Sequence, residues 1–172
     1  MNVKKLLYLL ILATLPVAAL AQGHKIGIVD GDVVIQKSVK GKAFFDEYQS
    51  LAAAKQDEIK AKIDNFRAQE KDFQAKAASL SEDKNREMQV QLQEMQTDIK
   101  RLQEDAKRAM DLKLNTGLQK FQKELAPLIR QVALEKSLDL VMNNGPNSNI
   151  VFISEAIDIT DAVIKKYDEA AK

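Results

Sequence analysis

Few residues of this sequence have types and a spacing that could support catalysis or metal binding. Asp30-Gly31-Asp32 places two carboxylates beside a glycine, but one short acidic turn has too few oxygen ligands for a calcium loop. His24 is the only histidine and there is no cysteine, so a zinc site is not expected. A glycine-rich phosphate loop and a nucleophile elbow are also missing. We therefore predict no catalytic residue, no metal, no cofactor and no enzymatic activity.

Apolar residues in the middle of the chain recur at helical spacing, which predicts two long helices. The first series has a period of seven residues, and the second continues in steps of three and four. Ser81 is a good N-cap between them, and Glu82 and Asp83 suit the positive end of a following helix. We predict an antiparallel helical hairpin over residues 42–125 with its tip near 79–83. The two series are Phe45, Ala52, Ile59, Phe66, Phe73 and Leu80, and then Met88, Leu92, Met95, Ile99, Leu102 and Ala106.

The seam between these two arms is predicted to be thin. Polar residues stand where a strict coiled coil has a second apolar row, among them Lys55, Lys62 and Gln69. Apolar side chains on such arms are either packed in the seam or partly available for binding. Gly117 is a candidate hinge, and an ordinary tolerated helix glycine is the alternative. The five seam residues proposed for binding contacts are Phe66, Phe73, Leu80, Met88 and Met95.

The first residues have the pattern of an export signal. Lys4 and Lys5 precede an apolar run, and Ala19-Leu20-Ala21 offers small residues for cleavage near Ala21. A retained membrane anchor is the alternative, although the run is short for a bilayer. Residues 1–21 are therefore assigned as a signal peptide. Without Lys4 and Lys5 the chain has one more acidic than basic residue, which gives no drive toward nucleic acid.

The two ends of the chain, residues 22–41 and 126–172, are predicted to form a small body with β-strands. One strand is expected at 25–30, and two more at 138–142 and 150–153 form an antiparallel hairpin. Pro127 is expected to start a new helix or to mark a kink. The fold class is therefore α+β, dominated by the helical hairpin.

Three short strands barely form a stable sheet, so the body is expected to self-associate. The interface candidates are Ile26, Ile28, Val141, Val151 and Ile153.

Four stretches resemble the Skp/OmpH family of periplasmic chaperones. They are Lys25-Ile26-Gly27-Ile28-Val29-Asp30, then Ser38 with Gly41-Lys42 at the start of the long helix, then Leu138-Asp139-Leu140-Val141, and Asp158-Ile159-Thr160-Asp161-Ala162-Val163-Ile164. Their order, with the long hairpin between them, covers the chain that follows the signal peptide.

The resemblance implies a homotrimer in the periplasm of a Gram-negative bacterium. The strands would build a β-barrel body, and three helical arms would enclose a cavity for unfolded outer-membrane β-barrel proteins, held without ATP. The five seam residues above are then the candidates for contact with these clients. Near-neutral charge makes membrane or lipopolysaccharide contact weak. A structural coiled-coil protein that spaces or bridges envelope components is the alternative.

Overall fold

The computed structural model describes residues 23–146 and 148–170, so the predicted signal peptide lies outside the described residues. The elements, in chain order, are β1 (Ile26–Val29), α1 (Gly31–Lys37), α2 (Val39–Lys76), a 3-10 turn (Ala77–Ser79), α3 (Glu82–Glu135), β2 (Leu140–Asn143), a second 3-10 turn (Glu155–Ile157) and α4 (Thr160–Glu169). None of the helices in these residues combines the length and apolar character that crossing a bilayer requires.

Side-chain caps start the first two helices. The Asp30 carboxylate accepts a hydrogen bond from the Val33 N–H at 2.9 Å, which caps α1. Ser38 is fully buried, and its hydroxyl accepts from the Gly41 N–H and donates to the Ile35 carbonyl, both at 3.2 Å. The predicted turn at Asp30-Gly31-Asp32 is therefore the start of a helix, held by its first aspartate.

The predicted helical hairpin is present. α2 has 38 residues and α3 has 54, and the chain reverses between them at the predicted tip. The Ser81 hydroxyl accepts from the Lys84 N–H, as expected of the N-cap. At 1.5 Å per residue, α2 is about 57 Å long.

The strand pairing differs from the prediction. β1 and β2 form a two-stranded parallel sheet, with Ile26 opposite Leu140 and Val29 opposite Asn143. Residues 150–153 form no strand, so the predicted antiparallel hairpin is wrong for this chain. The arms bring the chain back beside β1, and a parallel pair with a long helical crossover results.

The core forms where the arms enter the body. α3 passes through Pro127 to Glu135 without starting a new helix. The buried core combines residues of β1, α1, α3 and α4 with Ile159, the residue before α4: Val29, Val34, Ile35, Phe121, Leu125, Val132, Ile159, Val163 and Tyr167. Phe44, Phe45 and Leu118 pack against this cluster, so both ends of the predicted hairpin contact the core.

Candidate functional site

The arms are exposed along most of their length. From Lys42 to Asp105 the structure, which describes every residue of this stretch, leaves none fully buried. The five binding candidates, Phe66, Phe73, Leu80, Met88 and Met95, are all half-buried between the two helices. Their apolar atoms are thus shared between the seam and solvent. The structure brings these five residues together in one stripe over the outer part of the hairpin.

Polar contacts cross the seam where an apolar row would be expected. The Gln91 side-chain amide donates to the Gln69 side-chain oxygen at 3.2 Å, with Gln91 exposed and Gln69 half-buried. Nearer the body, the Lys113 ammonium pairs with the Glu47 carboxylate at 2.9 Å. These contacts satisfy polar groups but bury little apolar surface, so the predicted thin seam is present.

The tip is held by local contacts. The Asn85 side-chain amide donates to the Ala77 and Leu80 carbonyls at 3.1 and 3.4 Å, which closes the turn between the arms. Lys76 pairs with Asp72, and Lys84 pairs with Glu87, each within its own helix. A solvated helix end accounts for these charges.

The body has a second exposed apolar surface near the sheet. Val151 is fully exposed and Phe152 is 83% exposed, in a segment without secondary structure. Leu140 and Met142 project from β2 into solvent, and Ile26 is exposed at the start of β1. Sequence reasoning missed Phe152, Leu140 and Met142, although the alternation of β2 could have indicated that the last two share one face.

The remaining interface candidates are less accessible. Ile28 is only 5% exposed and lies in the interior of the single chain. Its burial leaves little of its side chain for a second subunit, so we leave it out of the proposed interface. Val141 is half-buried and packs against the core, and Ile153 is half-buried. Val151 and Ile26 therefore remain as the accessible members of the predicted set.

The candidate hinge Gly117 is buried where the arms cross at their roots. A Cβ atom at this position would lie 2.3 Å from the Phe44 ring. α3 continues as a helix through Gly117. The geometry thus gives this glycine a packing role, because it provides room for an aromatic ring of the other arm.

A polar cluster lies beside this crossing. The Tyr167 hydroxyl donates to the Glu124 carboxylate at 2.6 Å, and the Lys40 ammonium contacts the same carboxylate oxygen at 3.2 Å. The hydrogen bond from Tyr167, aided by Lys40, lowers the pKa of Glu124 below its ordinary value. Burial, together with Glu124, raises the pKa of Tyr167 well above that of a free tyrosine. A crevice of about 400 Å³ opens next to the cluster, between α2 and α3.

Residues that could support metal chemistry are used for structure. Asp30 caps α1, and His24 lies 3.6 Å from Asp139 at an exposed site. Within the described ranges, three or more histidine, aspartate or glutamate side chains do not gather into a potential metal site.

These features define a class of protein: a small α/β body that carries one long helical hairpin, with apolar surface along the arms and on the body. The family model described as "Outer membrane protein (OmpH-like)" matches residues 25–167, and the chain belongs to this family. The predicted resemblance to Skp/OmpH is thereby confirmed, as is a fold of helical hairpin and small β-containing part.

A solved structure has the same fold. It is that of a proposed outer membrane chaperone (OmpH-like) from Caulobacter crescentus CB15, with a TM-score of 0.72 and 19% sequence identity. The match covers 86% of this chain and 86% of the other. No curated protein matches this chain. At this level of identity, the likeness concerns the fold alone.

Proposed function

We propose that this protein is an ATP-independent holdase chaperone of the Gram-negative periplasm. It binds unfolded outer-membrane β-barrel proteins between its helical arms and prevents their aggregation during assembly of the outer membrane. The observation that carries this proposal is that no residue from Lys42 to Asp105, the outer part of the hairpin, is fully buried in a member of the OmpH-like family.

The arms suit binding through many weak contacts. Half-buried side chains such as Phe66, Phe73 and Met95 expose part of their apolar surface in one stripe. Each partial contact contributes about 1 kcal/mol or less, so an unfolded client with many apolar residues gains affinity from their number. Methionine side chains adapt to different partners, which suits a binding surface for varied sequences. Single changes such as Met95→Ala should then barely reduce binding.

Self-association into a homotrimer is the second part of the proposal. Val151 and Phe152 are exposed to a degree that is unusual for large apolar residues, and only one edge of β2 is paired among the described residues. A second copy would cover both features. The number three comes from the family resemblance. Three hairpins from one body would enclose the cavity that holds the client.

Charge argues against a strong lipid interaction. The formal net charge is close to zero, and the lysines near the tip are paired with carboxylates of their own helices. Contact with membrane or lipopolysaccharide is therefore expected to be weak. Client binding should also fall only modestly as salt concentration rises, because screening acts mainly on charged pairs.

The alternative function is a structural coiled-coil protein that spaces or bridges envelope components. The long hairpin alone would suit this role equally well. The half-buried apolar stripe favours the chaperone, because a spacer gains nothing from apolar atoms exposed along its length.

Aggregation of an unfolded outer-membrane β-barrel protein after dilution from urea tests the proposal. Light scattering is followed with and without the purified chain, beginning near Gln22, and native mass is measured in parallel. The holdase should suppress scattering near stoichiometric ratios without ATP, and its mass should rise by that of one client. If scattering is unchanged while the purified chain keeps its native helical circular dichroism, the result would favour the spacer.

A further inference from the structure

The C-terminal helix α4 is tied to both arms at their roots through one carboxylate. We propose that Glu124 is a positioning residue: together with Tyr167 and Lys40, which we call the root latch, it fixes the arms to α4 and limits how far the hairpin swings relative to the body. This inference concerns the motion of a single chain and does not depend on the proposed clients.

The geometry joins three helices at one point. Tyr167 of α4 is only 1% exposed, and its hydroxyl donates to Glu124 Oε2 of α3 at 2.6 Å. The Lys40 ammonium, from the first turns of α2, contacts the same oxygen at 3.2 Å. Lys120 lies 3.9 Å from the other carboxylate oxygen. One ionised side chain therefore connects the first arm, the second arm and α4.

Further contacts in the same place reinforce the connection. The Asp168 carboxylate accepts from the Val39 N–H at 2.9 Å, so α4 also caps the start of α2. The Lys40 ammonium lies 5.1 Å from the centre of the Tyr167 ring, and the Phe121 ring packs edge-on against that ring. The root latch is thus part of a continuous contact between α4 and both arms.

The position of the latch gives it leverage over the arms. Because residues 42–105 bury nothing fully, packing along the hairpin does not hold the arms against the body. Their direction must be set at the roots, where Phe121 and Leu125 are buried beside Glu124. An arm of about 57 Å that rotates by about 10° at its root moves its tip by about 10 Å. Small changes in the latch therefore become large changes at the tip.

Core packing alone is the competing explanation for the direction of the arms. Conservative substitutions distinguish it from the root latch. Tyr167→Phe keeps the ring in the core and removes only the hydroxyl, and Glu124→Gln keeps size but removes the charge that holds Lys40. Tyr48→Phe and Glu104→Gln serve as controls, because both side chains lie on the arms outside the latch. If packing alone fixes the arms, these four variants should be equivalent in arm position.

The test is a distance measurement by pulsed electron paramagnetic resonance. Spin labels are attached at Arg86→Cys near the tip and Lys165→Cys on α4, two exposed positions in a chain without native cysteine. Labelled protein is diluted into unlabelled protein, so that only distances within one chain are observed. In both latch variants the distance distribution should broaden by about 5–10 Å, the tip movement that a root rotation of about 5–10° produces. The double variant should be no broader than Glu124→Gln, because both changes break the same tie.

The control variants should keep the parent distribution. An unchanged distribution in both latch variants, with a lower melting temperature, would overturn the proposal and leave these residues a purely structural role. Should Tyr167→Phe lose its helical circular dichroism, Glu124→Gln and Lys40→Met decide the matter, because Glu124 and Lys40 are themselves only half-buried. Since client is absent throughout, the result is independent of whether the chain is a holdase.

Discussion

Gly41 lies at the point where α2 leaves the body, against the backbone of α1. A Cβ atom built there would be 1.5 Å from the Ile35 carbonyl oxygen, and 2.9 Å from the Ser38 hydroxyl oxygen. Helix propensity alone predicts that alanine is better than glycine by about 1 kcal/mol. Here the clash is with backbone, which cannot move away without breaking the Ser38 cap.

We expect Gly41→Ala to destabilise the protein by about 3 kcal/mol or more, because overpacking against fixed atoms outweighs the gain in propensity. Urea denaturation followed by circular dichroism measures the change. Gly31→Ala is the matched control, since its Cβ would meet only the Asn143 side chain at an ordinary 3.4 Å. Equal stability of the two variants would contradict this account of the root.

Glu124 predicts how stability depends on pH. Its pKa is lowered first by the hydrogen bond from Tyr167 and then by Lys40 and Lys120, so the folded chain binds this proton more weakly than the unfolded chain. The stabilising contribution is therefore present above the ordinary glutamate value of 4.5 and is lost as pH falls through the lowered pKa. Melting temperatures of the parent and of Glu124→Gln, measured from pH 7 to pH 2, should converge at the acid end. A constant difference across this range would show that the charge of Glu124 does not matter.

Sequence reasoning located some of these residues but not their roles. Ser38 and Gly41 were noted as a motif, yet the distance from Gly41 to the Ile35 carbonyl exists only after α1 and α2 have packed. The sequence leaves Gly117 open as a hinge or as an ordinary helix glycine, because the Phe44 ring that packs against it comes from the other arm. The contact between Glu124 and Tyr167 joins residues 43 positions apart, which periodicity cannot reveal.

Among the elements, α3 shows a gradient of burial along its length. Residues of its first part, such as Met88 and Met95, are half-buried at most, whereas Phe121, Leu125 and Val132 are fully buried. Backbone hydrogen bonds open most readily where few apolar contacts must be broken. The outer arm should therefore open locally far more often than the root, while both remain helical.

Hydrogen exchange with mass spectrometry checks this gradient at neutral pH. Peptides from residues 60–100 should exchange at least about 100-fold faster than those from 118–132, which corresponds to roughly 3 kcal/mol between local and core opening. Urea at low concentration should increase the exchange rate of residues 118–132 most and change that of residues 60–100 little. Uniform protection along the hairpin would mean that the seam is more stable than its burial indicates.

The long helices followed from sequence, while the strand partners did not. Heptad spacing and Ser81 were sufficient to predict both arms and the tip. The sequence predicts a new helix or a kink at Pro127, and the structure shows no new helix there. Burial of Leu125 and Val132 on either side favours a continuous helix despite the lost backbone hydrogen bond. The pairing of β2 with β1 depends on where the hairpin returns the chain, which local alternation in residues 138–153 does not encode.

At the scale of the whole molecule, the described residues of the body present more apolar surface than a small monomer usually does. Val151 and Phe152 stand out from the body, and β2 has one unpaired edge within the described ranges. Val151→Asp should dissociate the proposed trimer, because an unpaired charge placed in an apolar interface costs several kcal/mol. Light scattering with size-exclusion chromatography measures the mass.

Val90→Asp is the control for this change. Val90 is also an exposed valine, but it lies on the outer arm, so the variant should keep the parent mass. A monomeric parent protein would refute the trimer. Dissociation by Val90→Asp but not by Val151→Asp would show that the interface lies on the arms and not on the body.

Client capture between arms is tested most directly by closing the arms. Arg86→Cys places a single thiol near each tip, and a trifunctional maleimide can join the three tips of the proposed trimer. Affinity for an unfolded outer-membrane β-barrel protein is then measured for the cross-linked protein and for the same variant blocked with a monofunctional maleimide. A cavity between movable arms predicts that the blocked protein binds like the parent and that the cross-linked protein binds a large client at least about tenfold more weakly, a difference of about 1.4 kcal/mol. Equal affinity of the two forms would contradict capture between the arms.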